Sequence, residues 1–293
     1  MNHLAMTERT AVQAAAPAAT EKSRPADNPK NVVNSVLKAF SVLHAFKPEQ
    51  PAMTVSEIAA ATGMDRGTTF RLIHTLVALD YLRSVPVRKF RLTLKCLELG
   101  FLALSSHDLW THAGPLLKEC VPAVCDAASL GALDGPDVVF LARVDKGLSR
   151  SNVDRRPGRR VGAYGAALGH AMLAYLPEPQ QIAILESAER VKLSERTLTD
   201  LPALLERLRQ VRQQGYAVSD GENAYGLRTV AVPVLDAAKH PVAGISLTVD
   251  AQRMSIDELV KNALPKAKAI ATELSRAVRF SAGAISVSLS LSP

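Results

Sequence analysis

The segment SEIAAATGMDRGTTFRLIHTL, residues 56–76, does most to limit the folds open to this chain, because it predicts two short helices joined by a tight turn. Just ahead of it, Thr54 and Glu57 have the spacing of a capping box, which marks the start of the first helix. Gly63 can adopt the left-handed conformation that ends a helix, and Asp65 is a good cap for the next one. The spacing predicts a helix-turn-helix.

The flanking segments extend this motif into a small domain. Upstream, NSVLKAFSVLHAF predicts another helix, with Ser35 as its N-cap and with apolar residues near helical spacing at Val36, Leu37, Phe40, Leu43 and Phe46. Downstream, RSVPVRKFRLT predicts two short strands around Arg88 and Lys89, which form a hairpin. Three helices and a hairpin make a winged helix-turn-helix.

The second helix of the motif has two different faces. Phe70, Ile73, Leu76 and Val77 repeat on one side and are expected to pack on the other helices. The opposite side has small residues and an arginine, which suit close approach to base edges in the major groove, namely Gly67, Thr68, Arg71 and Thr75. Glycine costs up to about 1 kcal/mol in a helix relative to alanine. Gly67 is therefore either a close-contact position or a tolerated weakness.

The positive charge of the chain is concentrated in this domain. Between Lys30 and Lys95 there are ten lysines and arginines against four acidic residues, a net of +6 out of +7 for the whole chain. This excess predicts a polyanionic partner, and the aromatic share of 4% disfavours a single-strand binder that stacks bases. We expect double-stranded promoter DNA, with base contacts from Thr68 and Arg71, phosphate contacts from Arg66 and Thr69, and wing contacts from Arg88 and Lys89.

The remaining chain predicts a second domain of mixed α+β class. Segments such as DVVFLARV and RTVAVPVLDAAKHPVAGISLTVD are typical of strands, whereas LPALLERLRQVRQQG and the run from Ser255 to Val278 are typical of helices. We expect a flexible arm over 1–30, the winged domain over 31–93, a linker helix over 94–108, the second domain over 109–280 and a tail over 281–293. The tail alternates polar and apolar residues, which fits an edge strand or a disordered end.

Several classes of protein are disfavoured by the sequence. We find no apolar run of about 18 residues, so no membrane span is expected, and the polar N-terminus lacks the pattern of a secretory signal, so we expect a cytoplasmic protein. The three cysteines show no zinc-ligand spacing, and we expect neither a metal nor a cofactor. Nucleophile-elbow, phosphate-loop and zinc-protease motifs are absent, which argues against an enzyme.

The chain resembles the IclR-type bacterial transcriptional regulators from about Val32 to Val278. The resemblance is carried by SVLKAFSVLHAF, TVSEIAAATGMDRGTTFRLIHTLVALDYL and AYGAALGHAMLAYL, and most specifically by GYAVSDGENAYGLRTVAVPV followed by VAGISLTV. It implies an N-terminal domain that binds promoter DNA and a GAF-like, effector-binding domain that holds a small organic acid, aromatic or short. It further implies homodimers, in some members tetramers, that control catabolic operons as repressors or activators.

The resemblance also implies the residues of the effector pocket, which are Ala167, Leu168, Ser219, Asp220, Thr229, Ser246 and Thr248. Ser246 and Thr248 alternate along a predicted strand, so both side chains can point into one cavity. The start of the helix in YGAALGHAM can receive a carboxylate at its free backbone amides. Without the resemblance, the sequence favours the interpretation that these polar residues cap loops and line a solvated edge.

Two further features have ordinary interpretations. RRPGRR, residues 155–160, can attract an anion but is typical of a solvated loop, and His170 has no partner at metal-ligand spacing. Two alternatives to an effector-controlled regulator stay open from the sequence. One is a DNA-binding protein whose second domain only oligomerises, and the other is an enzyme with an appended DNA-binding domain.

Overall fold

The structure, a computed structural model, describes residues 32–105, 109–148 and 155–289, and for 101–105, 110 and 279–289 it describes the backbone only. The chain divides into two compact units, Met1–Cys96 and Leu97–Pro293. The predicted arm over 1–30 lies outside the described residues, as do the last residues of the predicted linker helix.

The first unit is a winged helix-turn-helix, as predicted. Its elements are α1 Asn34–His44, β1 Met53–Thr54, α2 Val55–Thr62, α3 Arg66–Ala78, β2 Leu82–Val85 and β3 Lys89–Leu92. The strands form an antiparallel sheet in the order β1-β3-β2. A small core holds the unit together, composed of Val42, Met53, Ile58, Ile73, Leu76, Leu82 and Phe90.

The local signals that fix the helix-turn-helix are confirmed. The Thr54 amide donates to Glu57 Oε2 over 2.6 Å, and the Glu57 amide donates to Thr54 Oγ1 over 3.3 Å, which completes the capping box. Gly63 ends α2 at a φ of 68°, and Asp65 caps α3 by accepting from the Thr68 amide at 2.8 Å. The N-cap prediction for Ser35 is wrong, because α1 already begins at Asn34 and has no side-chain cap.

The second unit is an α+β domain built on a six-stranded antiparallel sheet in the order β6-β5-β4-β9-β8-β7. Its elements are α4 Cys96–Ser105, which begins at the boundary of the units, α5 Leu109–Cys120, β4 Ala127–Asp134, β5 Asp137–Asp145, β6 Arg160–Gly162, a 3₁₀ turn Ala163–Gly165, α6 Ala167–Leu173, α7 Glu178–Glu186, α8 Leu201–Gln214, β7 Ala217–Asp220, β8 Leu227–Leu235, β9 Pro241–Asp250 and α9 Ile256–Leu289.

Two hydrophobic cores lie on opposite faces of this sheet. Helices α5 and α9 cover one face, where Val230, Ile245 and Leu247 are fully buried. Helices α6 and α8 cover the other face and contribute Met172 and Leu208 to its core. A curled sheet between two helical layers agrees with the predicted GAF-like architecture.

The chain end differs from the sequence prediction. Helix α9 continues to Leu289, whereas 281–293 was expected to be disordered or an edge strand. Extending an existing helix costs little compared with starting one, and the alanines at 282 and 284 favour it.

Glycines let α6 approach the sheet closely. Gly131 on β4 pairs with Gly244 on β9, and the side chain of Leu168 lies over both. A Cβ at Gly244 would lie 2.9 Å from Leu168 Cδ2, and one at Gly131 would lie 3.4 Å from its Cδ1. The absence of both side chains therefore sets the spacing between helix and sheet.

Candidate DNA interface and ligand pocket

The exposed face of α3 is formed by Gly67, Phe70, Arg71, His74 and Thr75. Arg66 and Arg71 are exposed as predicted, and Arg71 shares this face with two aromatic rings. The prediction that Phe70 packs in the core is wrong, since it is 51% exposed and its ring lies 4.2 Å from that of His74. Helical spacing places an apolar residue on a stripe, but α1 and α2 cover only the part of the stripe that includes Ile73 and Leu76.

The two threonines near the start of α3 differ in environment. The phosphate-contact prediction for Thr69 is wrong, because its side chain is completely buried and its hydroxyl donates to the Asp65 carbonyl over 2.8 Å. Thr68 is half-buried, with its amide bonded to Asp65. A Cβ at Gly67 would lie 3.3 Å from Asp65 Oδ1, so a larger residue there would crowd the cap.

The wing is more basic than the sequence analysis indicated. Arg88 is exposed at the hairpin turn with a φ of 53°, and Lys89 is half-buried near Glu57. Sequence reasoning missed Arg83 and Arg91, which are exposed and directly opposite each other on β2 and β3. Alternation along the predicted hairpin would have placed both on its outer face.

None of these cations forms a close ion pair with another described residue of the first unit, although Lys89 lies near Glu57. Within described residues 32–100, no lysine or arginine lies within 4.0 Å of a carboxylate. Like charges directly opposite on neighbouring strands destabilise a hairpin. The arginine pair on the wing is therefore explained better by an external anion such as phosphate than by stability of the fold.

In the second unit, polar residues form two rows across the sheet face that α6 covers. Ser219, Thr229 and Thr248 are neighbours on β7, β8 and β9, and in the next row Ser246 and Ser129 are neighbours on β9 and β4. Arg143 on β5 continues the second row beside Ser129. The rows form the floor of a cavity, with Ala166, Ala167 and Leu168 opposite them.

Six of the seven predicted pocket residues line this cavity: Ala167, Leu168, Ser219, Thr229, Ser246 and Thr248. The prediction for Asp220 is wrong. It follows Ser219 on β7 and so points to the other side of the sheet. There it accepts from Arg228 Nε over 2.9 Å and also pairs with Arg196.

Sequence reasoning missed two arginines of the cavity. Arg143 is 9% exposed and donates to Ser129 Oγ and to Asp145 Oδ2, each over 3.0 Å. Arg155 is half-buried, and its Nη2 donates to Asn223 Oδ1 over 3.1 Å. The expectation that RRPGRR is only a solvated loop is therefore wrong for Arg155, although Arg160 is an exposed residue paired with Asp134 and Asp137.

The cavity offers hydrogen-bond donors without partners. Ser219 and Ser246 are 6% and 4% exposed, and neither hydroxyl has a partner among the described residues, nor does the buried Nδ2 of Asn223. No aspartate or glutamate is among the described lining residues. The free space is about 30 Å³. This chemistry favours a small, acceptor-rich, anionic ligand.

His170 lies next to the cavity but not in its lining. It is fully buried, and its Nε2 is within hydrogen-bond distance of the Tyr164 carbonyl. Burial lowers the pKa of His170, so the ring is neutral at pH 7. Among the described residues, no group of three or more histidines, cysteines and acidic residues is placed to hold a metal ion.

Comparisons with known proteins agree with both halves of the chain. The family described as IclR helix-turn-helix domain matches residues 35–86, and the family described as Bacterial transcriptional regulator IclR C-terminal matches residues 101–276.

Within the described part of the chain, none of the helices combines the length and the apolar character that a bilayer crossing requires.

Individual relatives are similar over most of the chain. The HTH-type transcriptional regulator KdgR of Escherichia coli K12 is 34% identical over 80% of this chain and 88% of its own length. The crystal structure of a Rhodococcus sp. RHA1 protein has 33% identity and a TM-score of 0.75, and covers 84% of this chain and 98% of its own.

A second solved structure contains a ligand. It is the inducer-binding domain of the PobR transcription factor from Acinetobacter, a double mutant in complex with 3-hydroxybenzoic acid, with 29% identity, a TM-score of 0.50, and coverage of 56% of this chain and 95% of its own. The relatives are named as regulators, so the enzyme alternative is set aside. The chain belongs to the IclR family of bacterial transcriptional regulators, with a DNA-binding winged helix-turn-helix followed by an effector-binding domain.

Proposed function

We propose that this protein binds promoter DNA in the cytoplasm and that a small carboxylic acid, aromatic or short, changes its affinity for the operator of a catabolic operon. The pocket carries this proposal, because two guanidinium groups and several unpaired donors face one cavity without an acidic residue in its described lining. Such a site is complementary to a carboxylate. The aromatic acid in the PobR domain supports the same class of ligand.

The exposed face of α3 is proposed to read the operator. In this proposal Arg71 contacts base edges, with Thr68 beside it. The phosphate contacts come from Arg66 and from the wing residues Arg83, Arg88, Lys89 and Arg91. The absence of ion pairs within residues 32–100 leaves these cations available. A basic surface of this kind predicts binding that weakens steeply with salt.

The direct test is a fluorescence-anisotropy titration of the full chain against its own upstream duplex and a scrambled duplex, at several salt concentrations. Selective binding with a steep salt dependence, altered by a carboxylic acid but not by the matching amide, is the expected result. By thermodynamic linkage, the duplex must change the affinity of the protein for the acid by the same factor by which the acid changes its affinity for the duplex. Equal affinity for both duplexes, or an unchanged affinity across a panel of aromatic and short acids, would contradict the proposal.

Replacing Thr229 with valine is expected to weaken binding of the acid about 10-fold and to leave the affinity for the operator unchanged. The hydroxyls of Thr229 and Thr248 are 2.9 Å apart, and valine would remove one of them from the cavity floor and leave the buried Thr248 hydroxyl without its partner. An unsatisfied buried hydroxyl costs about 1–3 kcal/mol. Calorimetric titration with the acid reads the change, and Thr229→Ser, which keeps the hydroxyl, should retain binding.

We also propose that the protein is a homodimer, two of which can pair into a tetramer. Helix α1 and its N-cap residue expose one apolar face, formed by Val33, Val36, Leu37 and Phe40 at 59%, 51%, 55% and 49%. Exposed apolar residues at helical spacing are typical of an interface. A second copy of this helix is the occupant that a twofold-symmetric regulator requires.

Phe40→Glu is therefore expected to shift the protein from dimer to monomer in size-exclusion chromatography with light scattering, because it places a charge in the apolar interface. Lys38→Glu introduces the same residue two positions away and serves as the control, which should leave the mass unchanged. A Phe40→Glu protein that keeps the mass of the unmodified protein would show that α1 is not the interface.

A further inference from the structure

Phe70 is an exposed aromatic residue in the middle of the side of α3 that is proposed to face DNA. It is 51% exposed, and it shares one stripe of the helix with Gly67, Arg71 and His74, which are also exposed. Residues three and four positions apart lie on the same side of a helix. The core of the first unit takes its residues from the other side of α3. Folding of this unit therefore does not account for an aromatic residue at this position.

The ring of Phe70 is held in place by two further rings. Its centroid lies 4.2 Å from that of His74, and the two ring planes are inclined by 48°. The ring of His74 lies 6.3 Å from that of Phe90, edge to face, and Phe90 belongs to the core. An apolar group that is already fixed in one position loses less conformational entropy when it binds a partner. The exposed ring is therefore pre-organised for a contact.

An open space adjoins this ring on the side of the helix N-terminus. Side chains of a helix lean toward its N-terminus, so the ring of Phe70 extends toward the turn that contains Gly67. Apart from its chain neighbours and the backbone of its own helix, a Cβ at Gly67 would have only the carboxylate of Asp65 within 4 Å among the described residues. The absence of a side chain at Gly67 leaves room for a small group beside the ring.

We propose that Phe70 recognises the 5-methyl group of a thymine in the operator, on the base pair next to the one that Arg71 contacts. The inference rests on the proposed function and adds to it a base, a chemical group and the residue that recognises it. His74 is a positioning residue, because it acts on the methyl group only through the ring of Phe70.

The choice of thymine follows from the groups that the bases present in the major groove. Guanine, adenine and cytosine present hydrogen-bond donors and acceptors there, and only thymine adds an apolar methyl group. The phenyl ring of Phe70 has no polar atom with which to pair the donors and acceptors, whereas it can bury the methyl group. Burial of one carbon group changes an affinity by about 4-fold.

The charges around the ring favour DNA as the partner. Helix α3 contains Arg66 and Arg71 and has no acidic residue among its 13 residues. A surface that combines cations with one apolar ring needs a partner that offers anions and a small apolar group together. The major groove does so, because phosphates line its rims and thymine methyl groups lie on its floor.

The experiment starts from a duplex that the full chain selects from a random-sequence pool. Each thymine of this duplex is replaced in turn by deoxyuridine, which removes the methyl group and leaves the hydrogen-bonding groups of the base pair unchanged. Affinities are measured by fluorescence anisotropy at one salt concentration. Replacement of one particular thymine in each half-site should lower the affinity by about 4-fold, and the other replacements should have smaller effects.

Substitutions of Phe70 connect this difference to the ring. Phe70→Ala should bind the thymine and the deoxyuridine duplexes with equal affinity, because the group that contacts the methyl is removed. Phe70→Leu keeps an apolar side chain and should retain part of the difference. Leu79→Ala is the matched control, since Leu79 is 52% exposed at the C-terminal end of the same helix. This variant should keep the full difference.

Two further measurements separate recognition of the methyl group from other effects. His74→Ala should reduce the difference to about 2-fold because the ring of Phe70 is no longer fixed, and His74→Tyr, which keeps a ring there, should restore it. In the second measurement, 5-methylcytosine paired with guanine replaces the responsive thymine and its adenine. The unmodified protein should bind this duplex about 4-fold more tightly than the one with plain cytosine, and Phe70→Ala should bind both equally.

The outcomes distinguish the inference from the proposed function. If the chain selects no duplex from the pool, the proposed function fails and the inference fails with it. If it selects a duplex but no deoxyuridine lowers the affinity, or if Phe70→Ala keeps the difference, the inference is overturned and the proposed function stands. If Leu79→Ala loses the difference as Phe70→Ala does, the effect arises from the stability of α3, and the inference is overturned as well.

Discussion

A Gly169→Ala protein is expected to lose at least about 3 kcal/mol of unfolding free energy in the second unit. A Cβ at this position would lie 2.1 Å from the carbonyl oxygen of Ala163 and 2.5 Å from its Cα. Both contacts are with backbone, so no side-chain rotation relieves them, and overpacking of a rigid site costs 1–3 kcal/mol or more. Urea unfolding followed by circular dichroism measures the loss.

Gly114→Ala is the matched control. Gly114 lies within α5, and a Cβ there meets nothing within 4 Å, so the substitution should be neutral or stabilise by up to about 1 kcal/mol. Equal midpoints of urea unfolding for the Gly169→Ala and Gly114→Ala proteins would show that α6 does not approach the 3₁₀ turn this closely.

The second large effect is expected at Arg71. Alanine there should reduce operator affinity about 10- to 100-fold, equivalent to 1–3 kcal/mol, and bring it close to the affinity for scrambled duplex. The reason is its exposed position on α3, free of ion pairs within residues 32–100. Anisotropy titrations with both duplexes measure the ratio.

Two arginine variants complete that test. Arg91→Ala removes a proposed phosphate contact, so it should weaken binding to both duplexes equally. It should also lower the slope of log affinity against log salt concentration by about 1. Arg209→Ala removes the same charge from α8, where Arg209 pairs with Glu178 and Glu206. It should change the affinity for neither duplex. An Arg71→Ala protein that still discriminates would place base reading elsewhere on α3.

The elements of the first unit were predictable because their signals are local. The capping box at Thr54 and Glu57, the left-handed Gly63 and the cap at Asp65 each act within four residues. Thr69 and Phe70 were misassigned for a different reason. Which apolar stripe α1 and α2 cover depends on how the three helices pack, and helical spacing alone does not determine it.

The pocket was only partly predictable. Its hydroxyls were found through the family resemblance, and the strand register explains why Ser219 lines the cavity and Asp220 does not. Arg143 lies on β5 and Arg155 in the loop before β6, and the sequence does not show that both face the cavity until the strand order of the sheet is known. An arginine in a Pro-Gly loop resembles any solvated arginine until that order is known.

The facing glycines Gly131 and Gly244 suggest how a binding site of this type can change its preference. The gap beneath Leu168 depends on two backbone positions, whereas the proposed recognition of an anion depends on the arginines and the hydroxyls of the cavity. Length tolerance and chemical selectivity are therefore encoded separately. If the cavity binds an acid as proposed, substitutions around Leu168 would change the size of the acid that fits and would leave the groups that recognise its charge unchanged.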